Sequence, residues 1–450
     1  FFFYSCATEI KLGKSFIVTD VLPEYSAVAI TSFGVLGAGY NECESLDEAR
    51  ENMRWGIGAG VRHLLKRGCH VIEVDTGTAA DAAAEAAELA CCTVEPFDKC
   101  DEALWLEGII RAQAQNWARF LSDMPANRMT PVDIAQAAID VLCPLGIDVE
   151  AHDREWVMAQ RMEAFLAVAR GSCEEPIFLE VSYRGAHEDM PPILIAAKGI
   201  TFDSGGLCLK KCSSMTENRG SMAGAAVALA TIKAIAELRV PINVNLVIPL
   251  CENMVSGQCM KVGDVVKALN GLSIQIEHTD YEGRLMMADA LVYGQTLYKP
   301  SLVIDVATFT RGVLMATGGG AFGCFSNSTS AWQAVRCAGA ITGDRPWRFP
   351  LWQYYKTQIT NDPSVDLRNK GSGHATPCLG AAFLRNFICG DWIHMDITGV
   401  GKVAHHVAPP YLDPRRMTGR PCRTLIQLLL DISRNSQTAA SQCTNAPPCC

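Results

Sequence analysis

Short apolar runs alternate with longer stretches of helical spacing along the first 135 residues. The runs at residues 27–30 and 70–74 have the composition of β-strands, and the stretches at residues 47–67 and 79–89 have the period of helices. Strands that alternate with helices are typical of an α/β fold. The pattern therefore predicts an N-terminal α/β domain over residues 1–135.

A longer helix is predicted from about residue 103 to residue 123. Its apolar side chains recur at helical spacing and are Leu106, Ile110, Ala114, Trp117 and Leu121. Pro125 follows and stops the helix, because proline cannot continue the hydrogen-bond ladder. Thr130 and Pro131 have the types preferred at an N-cap and at a first helical position. We predict a helical linker over residues 136–165.

From about residue 165 the pattern becomes strand, helix, strand. The predicted strands are residues 178–183, 193–202, 242–250 and 302–308, with an alanine-rich helix at 222–238. Such alternation predicts a domain over residues 166–433 with a mostly parallel sheet, covered by helices on both faces. Residues 434–450 are rich in Ser, Thr, Asn, Gln and Cys, and we expect a disordered or partner-dependent tail.

Candidate chemistry is concentrated in residues 198–284. Asp203 precedes Gly205 and Gly206, so the backbone can turn sharply and leave the carboxylate at a strand's end. Asp280 and Glu282 lie two residues apart, which in an extended segment places both side chains on one face. Hard oxygen ligands suit Zn²⁺, Mn²⁺ or Mg²⁺. Two-metal hydrolases need such bridging carboxylates.

Composition narrows the class of protein. The chain has 450 residues, of which 49% are hydrophobic and 19% charged, as in a folded globular protein. A net charge of -9 argues against nucleic acid as a partner. The pattern predicts no segment with the length and apolarity of a membrane span. The start, residues 1–3, lacks the features of a secretory signal, and we expect a processed or missing N-terminus, which leaves mitochondrial targeting open.

Twenty cysteines are consistent with disulfides, with metal binding or with buried thiols in a reducing cytosol. No C-x-x-C pair occurs, and several cysteines, such as Cys91 and Cys143, lie in apolar runs, which favours small buried hydrophobic side chains. Cys208 and Cys212 flank Lys210 and form only a weak metal signal.

The longest motifs carry a resemblance to a known family. Residues 198–206 (KGITFDSGG) and 279–284 (TDYEGR) resemble the signature of the cytosol-type leucyl aminopeptidases, which are hexameric two-metal exopeptidases. The resemblance continues through residues 122–131 (SDMPANRMTP), 247–257 (VIPLCENMVSG) and 417–433 (MTGRPCRTLIQLLLDIS). It implies a homohexamer that removes N-terminal residues such as leucine from peptides.

The resemblance also assigns roles to single residues. The metal-ligating positions of the family correspond to Lys198, Asp203, Asp280 and Glu282. In the family two divalent ions, Zn or Mn, activate a water, while the residues that correspond to Lys210 and Arg284 assist catalysis. Lewis-acid activation and charge stabilisation are the physical reasons for these groups.

Three positions depart from the family pattern. Ser221 stands where a metal-binding aspartate is expected, and a neutral hydroxyl is a poor ligand for a divalent ion. Arg311 follows Thr308 and Thr310 in the cleft segment and replaces a glycine, so it brings bulk and positive charge. Tyr281 stands where a small residue is usual.

The lost ligand changes the charge balance. Three carboxylates remain, and two lysines and one arginine of the motifs supply three positive charges, so the cluster could neutralise itself without metal. A lysine can ligate a metal only when deprotonated, and its acidic neighbours favour the protonated form. We hypothesise a site that holds no metal or one ion.

Two functions are left open. The favoured one is a degraded relative with little or no peptidase activity and a structural role, because animal members of the family include sperm-enriched proteins with eroded metal sites. That resemblance implies a cytoplasmic protein of the sperm flagellum, with axonemal microtubules as a partner. The alternative is an active metal-dependent aminopeptidase, which needs a substitute ligand near Ser221; the local candidates are Cys208, Cys212 and Glu217.

Histidines are weaker candidates. His278 precedes Asp280 and could act as a base, but a strand residue that faces packing or solvent is the simpler interpretation. His405 and His406 have the surroundings of a solvated loop. No partnered Ser-His-Asp arrangement supports Ser221 as a nucleophile.

Overall fold

The computed structural model describes residues 10–20, 23–35, 37–90, 93–96, 101–402 and 408–444, so the predictions for residues 1–3 and for Cys91, His405 and His406 lie outside the described residues. The helices are α1 (Glu48–Lys66), α2 (Ala80–Leu89), α3 (Glu102–Asp123), α4 (Pro131–Leu142), α5 (Arg154–Ala159), α6 (Glu163–Ala169), α7 (Cys212–Met215), α8 (Ala223–Glu237), α9 (Gly283–Tyr298), α10 (Arg311–Thr317), α11 (Thr329–Thr342), α12 (Gln353–Thr357), α13 (Thr376–Leu384) and α14 (Cys422–Thr444). The strands are β1 (Ser15–Val18), β2 (Val28–Thr31), β3 (Tyr40–Asn41), β4 (Leu46–Asp47), β5 (Val71–Val74), β6 (Thr93–Pro96), β7 (Asp148–His152), β8 (Ile177–Arg184), β9 (Ile193–Ala197), β10 (Gly199–Asp203), β11 (Asn243–Asn253), β12 (Val265–Lys267), β13 (Ser273–Gln275), β14 (Leu302–Ala307), β15 (Phe322–Ser326), β16 (Pro346–Arg348), β17 (Leu367–Arg368) and β18 (Trp392–Asp396).

The N-terminal part packs helices against short strands. Strands β1 and β2 pair antiparallel, and β5 and β6 pair parallel. Side chains of α1, α2 and β5 form one buried apolar cluster that includes Ile57, Ala83 and Val74. The elements predicted in this part are confirmed, with ends that differ by at most one residue, as β2, β5, α1 and α2.

Capping residues fix the next two helices. The Asp101 carboxylate accepts hydrogen bonds from two backbone N–H groups in the first turn of α3, and this helix ends two residues before Pro125, as predicted. Helix α4 begins at the predicted cap, where the Thr130 hydroxyl accepts a hydrogen bond from Asp133 N, and the Asp133 carboxylate accepts one from Thr130 N. Both caps satisfy N–H groups that lack a partner within the helix.

The central sheet has nine strands in the order β16-β15-β18-β14-β9-β11-β8-β7, with β10 beside β11. Five of its strand pairings are parallel and three are antiparallel. The prediction of a mostly parallel sheet is thus confirmed, although the sheet is mixed. Strand β7 lies inside the predicted helical linker of residues 136–165 and pairs with β8. It is five residues long and mostly polar, which is too short for alternation to reveal it. The domain boundaries stay predictions.

Helices cover both faces of this sheet. In β9, Ile193 and Ile195 face a cluster built by α3, α4, α8, α11 and α14, whereas Leu194 and Ala196 face a cluster built by α5, α6, α9 and α13. Successive side chains of a strand point to opposite faces, so a continuous apolar strand fills both layers. The carboxyl ends of the parallel strands β9, β10, β11 and β14 meet at one edge, where ligands bind in such folds.

One prediction for this part was wrong. The stretch Thr216–Glu237 has the length and apolarity of a membrane span, but 83% of its most apolar 18-residue window is buried inside the protein, where the stretch includes the core helix α8. In the segment predicted to be a disordered or partner-dependent tail, the structure describes residues up to Thr444 as the continuation of α14. No proline or glycine interrupts residues 422–444, so the helix that starts in the core can continue into polar sequence. Residues 445–450 lie outside the described part of the chain.

A buried carboxyl in α9 should make stability depend on pH. The Asp289 carboxyl accepts hydrogen bonds from Phe165 N and Leu269 N at 3.0 and 2.8 Å, and burial raises its pKa from 3.8 to about 7. Between these values the folded chain holds this proton and the unfolded chain has lost it. The free energy of unfolding should therefore fall by about 1.4 kcal/mol for each unit that the pH rises.

Urea unfolding at several pH values between about 4 and 7 tests this expectation. In Asp289→Asn the decrease in the free energy of unfolding that comes from Asp289 should disappear, because an amide does not titrate. An identical pH dependence in the wild type and the variant would contradict the assignment to Asp289.

Candidate active site

Two glycines turn the chain directly after β10. Gly205 and Gly206 have φ angles of +90° and +65°, which are open mainly to glycine. A Cβ atom at Gly205 would lie 2.6 Å from the carbonyl oxygen of Cys208, so this tight turn also excludes a side chain. The turn leaves Asp203 at the end of β10, where its Oδ1 accepts a hydrogen bond of 3.0 Å from Asn253 Nδ2 at the end of β11.

Three carboxylates meet at this edge of the sheet. Carboxylate oxygens of Asp203, Asp280 and Glu282 lie within 4.8 Å of one another, and no other such group of three occurs in the described parts of the chain. Asp280 and Glu282 come together in the turn before α9 and not in an extended strand, as the spacing argument had assumed. Asp203 and Glu282 are buried, and Asp280 is half-buried.

Two lysines contact these carboxylates. Lys210 Nζ lies 2.9 Å from Asp203 Oδ2 and also contacts Asp280 Oδ1. Lys198 Nζ lies 2.7 Å from Glu282 Oε1 and donates a hydrogen bond of 3.0 Å to the carbonyl oxygen of Thr308. The other oxygen, Glu282 Oε2, is buried and accepts no hydrogen bond from any described residue.

Burial and mutual repulsion perturb the acidic groups. Burial, reinforced by the charge of Asp203, raises the pKa of Glu282 to about 7 and also raises the pKa of Asp280. Burial acts in the same direction on Asp203, but Lys210 and Lys198 outweigh it and hold the pKa of Asp203 below its usual value. Burial would lower the pKa of Lys210, yet the three carboxylates raise it. The pair of lysines therefore does not neutralise the three acids fully.

Arg284 does not supply the missing charge. Its guanidinium donates to the carbonyl oxygens of Asn369 and Thr376, and it lies over the ring of Tyr281 at 4.6 Å. Burial lowers the pKa of Arg284 to about 10. The structure thus corrects the charge balance of the sequence analysis, which counted Arg284 among the three positive charges that could neutralise the carboxylates. The His278 ring also stacks against the Tyr281 ring, with the ring centroids 4.9 Å apart.

The predicted cleft residues lie beside this cluster. A cleft of about 700 Å³ is lined by Lys198, Asp203, Lys210 and Asp280, and also by Ser221, Thr308, Thr310 and Arg311. Ser221 is buried, and its carbonyl oxygen accepts a hydrogen bond of 2.8 Å from Thr308 Oγ1. The two main departures from the family pattern therefore face the same space as the carboxylates.

Comparison with known proteins settles the family. Residues 116–426 match the family model described as the Cytosol aminopeptidase family, catalytic domain. The cytosol aminopeptidase of Xenopus tropicalis is 39% identical over 448 residues, which cover 95% of this chain and 85% of that protein. The Homo sapiens cytosol aminopeptidase is 39% identical over 445 residues, with the same coverage. This chain belongs to the cytosol aminopeptidase family.

A solved structure supports the assignment at the level of the fold. Bottromycin maturation enzyme BotP in complex with Mn has a TM-score of 0.86 and 27% sequence identity, and the match covers 94% of both chains. Members of the cytosol aminopeptidase family use two divalent metal ions. The α/β fold and the family predicted from the sequence motifs are thus confirmed.

The residues present fit a divalent metal ion. The three clustered carboxylates are hard oxygen donors, and the buried Glu282 Oε2 lacks a partner that a cation would supply. At Ser221 the chain offers a neutral hydroxyl, where the family resemblance predicts a carboxylate. The candidate substitutes Cys208, Cys212 and Glu217 do not join the group of clustered ligands in the described residues.

Sequence reasoning missed three residues of the site. Asn253, at the end of β11, donates to Asp203, and a polar residue at the end of a predicted strand was a usable signal. Asp396, at the end of β18, accepts hydrogen bonds from Thr310 N and Thr310 Oγ1. Lys402 lines the cleft although it follows Asp203 by about two hundred residues, and no local pattern marks it.

Proposed function

We propose that this chain is a metal-dependent aminopeptidase whose centre holds one divalent ion in place of the family's two. The observation that carries this proposal is the group of three carboxylates within 4.8 Å, with a buried Glu282 oxygen that lacks a partner. Asp203, Asp280 and Glu282 would hold the ion. When bound, it would act as a Lewis acid and supply a water with a lowered pKa for attack on a peptide carbonyl.

The chain's own residues support peptide hydrolysis in three ways. Lys210 keeps its ammonium ionised beside two aspartates, so a fixed positive charge is available where a carbonyl oxygen becomes negative. Thr308 and Thr310 form a wall of the cleft, and Asp396 holds the Thr310 hydroxyl at 2.8 Å. Phe309 and Phe349 give the same cleft apolar surface for a peptide side chain.

A second candidate is a site without metal in a chain with a structural role, as the sequence analysis favoured. The observation behind it is that Lys198 pairs with Glu282 while Lys210 pairs with both aspartates, which stabilises much of the cluster without an ion. The role in a sperm flagellum, on axonemal microtubules, belongs to this candidate alone. The peptidase is supported more strongly, because the two lysines do not fully neutralise the three carboxylates and because the relatives are named cytosol aminopeptidases.

Assembly and location follow from the same relatives. We infer a homohexamer, the assembly typical of the family, and a cytoplasmic location, because the curated relatives are named cytosol aminopeptidases. Size-exclusion chromatography with light scattering on the full chain tests the hexamer, and a monomeric mass would contradict it.

Metal content and hydrolysis of leucine amide, measured on the same preparation, test the proposed function. We expect about one bound divalent ion per chain and slow hydrolysis that stops on chelation and returns with the metal. Ser221→Asp should raise the metal content toward two ions and increase the rate. Ser330→Asp, which adds the same charge at an exposed position in α11, is the matched control and should change neither.

The outcomes separate the two candidates. No bound metal and no hydrolysis in the native chain, with both gained by Ser221→Asp, would favour the structural role on an intact scaffold. Two ions in the native chain would contradict the single-ion centre and would require a ligand that replaces Ser221.

A further inference from the structure

Two basic side chains line the cleft in addition to the lysines of the cluster. Arg311 and Lys402 face the same space of about 700 Å³ as Lys198 and Asp203. Arg311 is the first residue of α10 and is exposed, whereas Lys402 is half-buried. Neither residue belongs to the group of clustered ligands.

The carboxylates of the cleft are committed to other partners. Asp203 and Asp280 both contact Lys210, and Lys198 pairs with Glu282. Across the described residues, no acidic side chain forms an ion pair with Arg311 or Lys402. These two cations therefore add positive charge to the cleft wall that no ion pair among the described residues neutralises.

Lys402 is poorly satisfied where it lies. Among the described residues its Nζ donates one hydrogen bond, of 3.3 Å, to Asn218 Oδ1, although an ammonium group carries three donors. Burial, followed by repulsion from Lys198, lowers the pKa of Lys402 to about 8. An anion beside this amine would offset both effects.

Hydrogen bonds to Asp396 hold the segment that carries Arg311 in place. The Asp396 carboxylate accepts hydrogen bonds from Thr310 N at 3.0 Å and from Thr310 Oγ1 at 2.8 Å, and it also accepts one from Thr398 Oγ1 at 2.6 Å. These bonds engage both Asp396 oxygens and hold Thr310, directly before Arg311, and Thr398, four residues before Lys402, in the cleft wall. A preorganised wall loses little entropy when a ligand binds.

We propose that Arg311 and Lys402 select peptides with an acidic side chain at the first or second residue. This substrate class rests on the proposed peptidase function, and it differs from the preference for leucine that the family resemblance implies. A guanidinium and an ammonium are the protein's usual partners for a carboxylate, through charge-assisted hydrogen bonds. On this account the positive charge of Arg311 serves recognition and does not merely obstruct the cleft.

Binding of peptide analogues that cannot be cleaved tests the proposal apart from catalysis. The analogues are amidated dipeptides with a reduced scissile bond: Glu-Ala, Ala-Glu, and the corresponding Gln-Ala and Ala-Gln. Calorimetry on the metal-loaded full chain should show that one glutamate analogue binds at least about tenfold more tightly than its glutamine counterpart. Which of the two does so identifies the position of the acidic residue.

Paired variants assign the effect to the two residues. In Arg311→Gln/Lys402→Gln the advantage of glutamate should fall to less than about twofold, whereas Arg128→Gln/Lys356→Gln removes the same charge at exposed positions and should retain it. Equal affinity for glutamate and glutamine analogues in the native chain would overturn the proposal, and so would an advantage that survives in the cleft variant. Because no turnover is measured, a chain that fails to hydrolyse leucine amide still gives a clear result.

Discussion

Replacing Glu282 with glutamine should reduce the affinity of the chain for a divalent ion at least about 100-fold. Even residues that only contact a metal ligand change metal affinity by about 10–100-fold, so the loss of a ligating carboxylate must exceed that range. Glu282 is the buried member of the cluster with an oxygen that lacks a partner. Glutamine keeps the shape of the side chain and a carbonyl oxygen for Lys198, but it removes the negative charge.

Calorimetric titration with Mn²⁺ or Zn²⁺, together with thermal unfolding, provides the measurement. The native chain should gain melting temperature with added metal, and Glu282→Gln should not, because only binding to the folded state stabilises it. Glu277→Gln is the matched control: this carboxylate borders the site region but pairs with Arg368 and lies outside the clustered group. Unchanged metal affinity in Glu282→Gln would show that the ion, if any, binds elsewhere.

The sequence was most informative where structure depends on neighbours along the chain. The cap at Thr130 and the turn at Gly205 and Gly206 are set by local hydrogen bonds and backbone sterics, so residue types alone predict them. Asp280 and Glu282 are also close in the chain, so their two-residue spacing indicated that they act together although they lie in a turn and not in an extended strand. Their family assignment came from two long motifs.

The sequence was least informative where partners come from distant segments. Lys402 reaches the cleft from a loop that no periodic pattern marks, and Asp396 fixes Thr310 across two parallel strands. Arg284 lies two residues after Glu282, yet its guanidinium donates to backbone carbonyls more than eighty residues away. Charge counted along the sequence therefore overestimated how well the acidic cluster neutralises itself, since side-chain direction decides which charges meet.

A second large effect is expected far from the cleft, at Glu85. Glutamine at this position should lower the free energy of unfolding by about 3–5 kcal/mol, because it removes the buried carboxylate that three buried arginines share. Glu85 Oε2 accepts hydrogen bonds of 2.7 Å from Arg54 and from Arg423, and Arg111 lies 3.4 Å from Oε1. All four side chains are almost fully buried.

These contacts join α1, α2, α3 and α14, so the N-terminal part and the final helix share one ionic core. Burial alone would raise the pKa of Glu85, but Arg54, Arg423 and Arg111 outweigh it and lower that pKa from 4.5 to about 2. A carboxyl whose pKa is lowered in the folded chain stabilises the fold at pH values above its pKa in the unfolded chain. That stability is lost as the pH falls from about 4.5 to about 2. The variant should lack this part of the acid sensitivity as well.

Urea unfolding near neutral pH measures the loss, with Glu88→Gln as the control on the same helix. Burial raises the pKa of Glu88, so its charge is not stabilised by its surroundings and the same chemical change should alter stability by less than about 1 kcal/mol. If Glu85→Gln were as stable as Glu88→Gln, the three arginines would have to be satisfied without Glu85. The remaining acceptors near Arg423 are Asp344, at 3.4 Å, the amide oxygen of Gln115, at 2.8 Å, and the Tyr411 hydroxyl, at 3.5 Å, and the Asp344 carboxylate is already shared with Arg420. Arg423 would therefore keep no carboxylate of its own, and this is why the loss at Glu85 should be large.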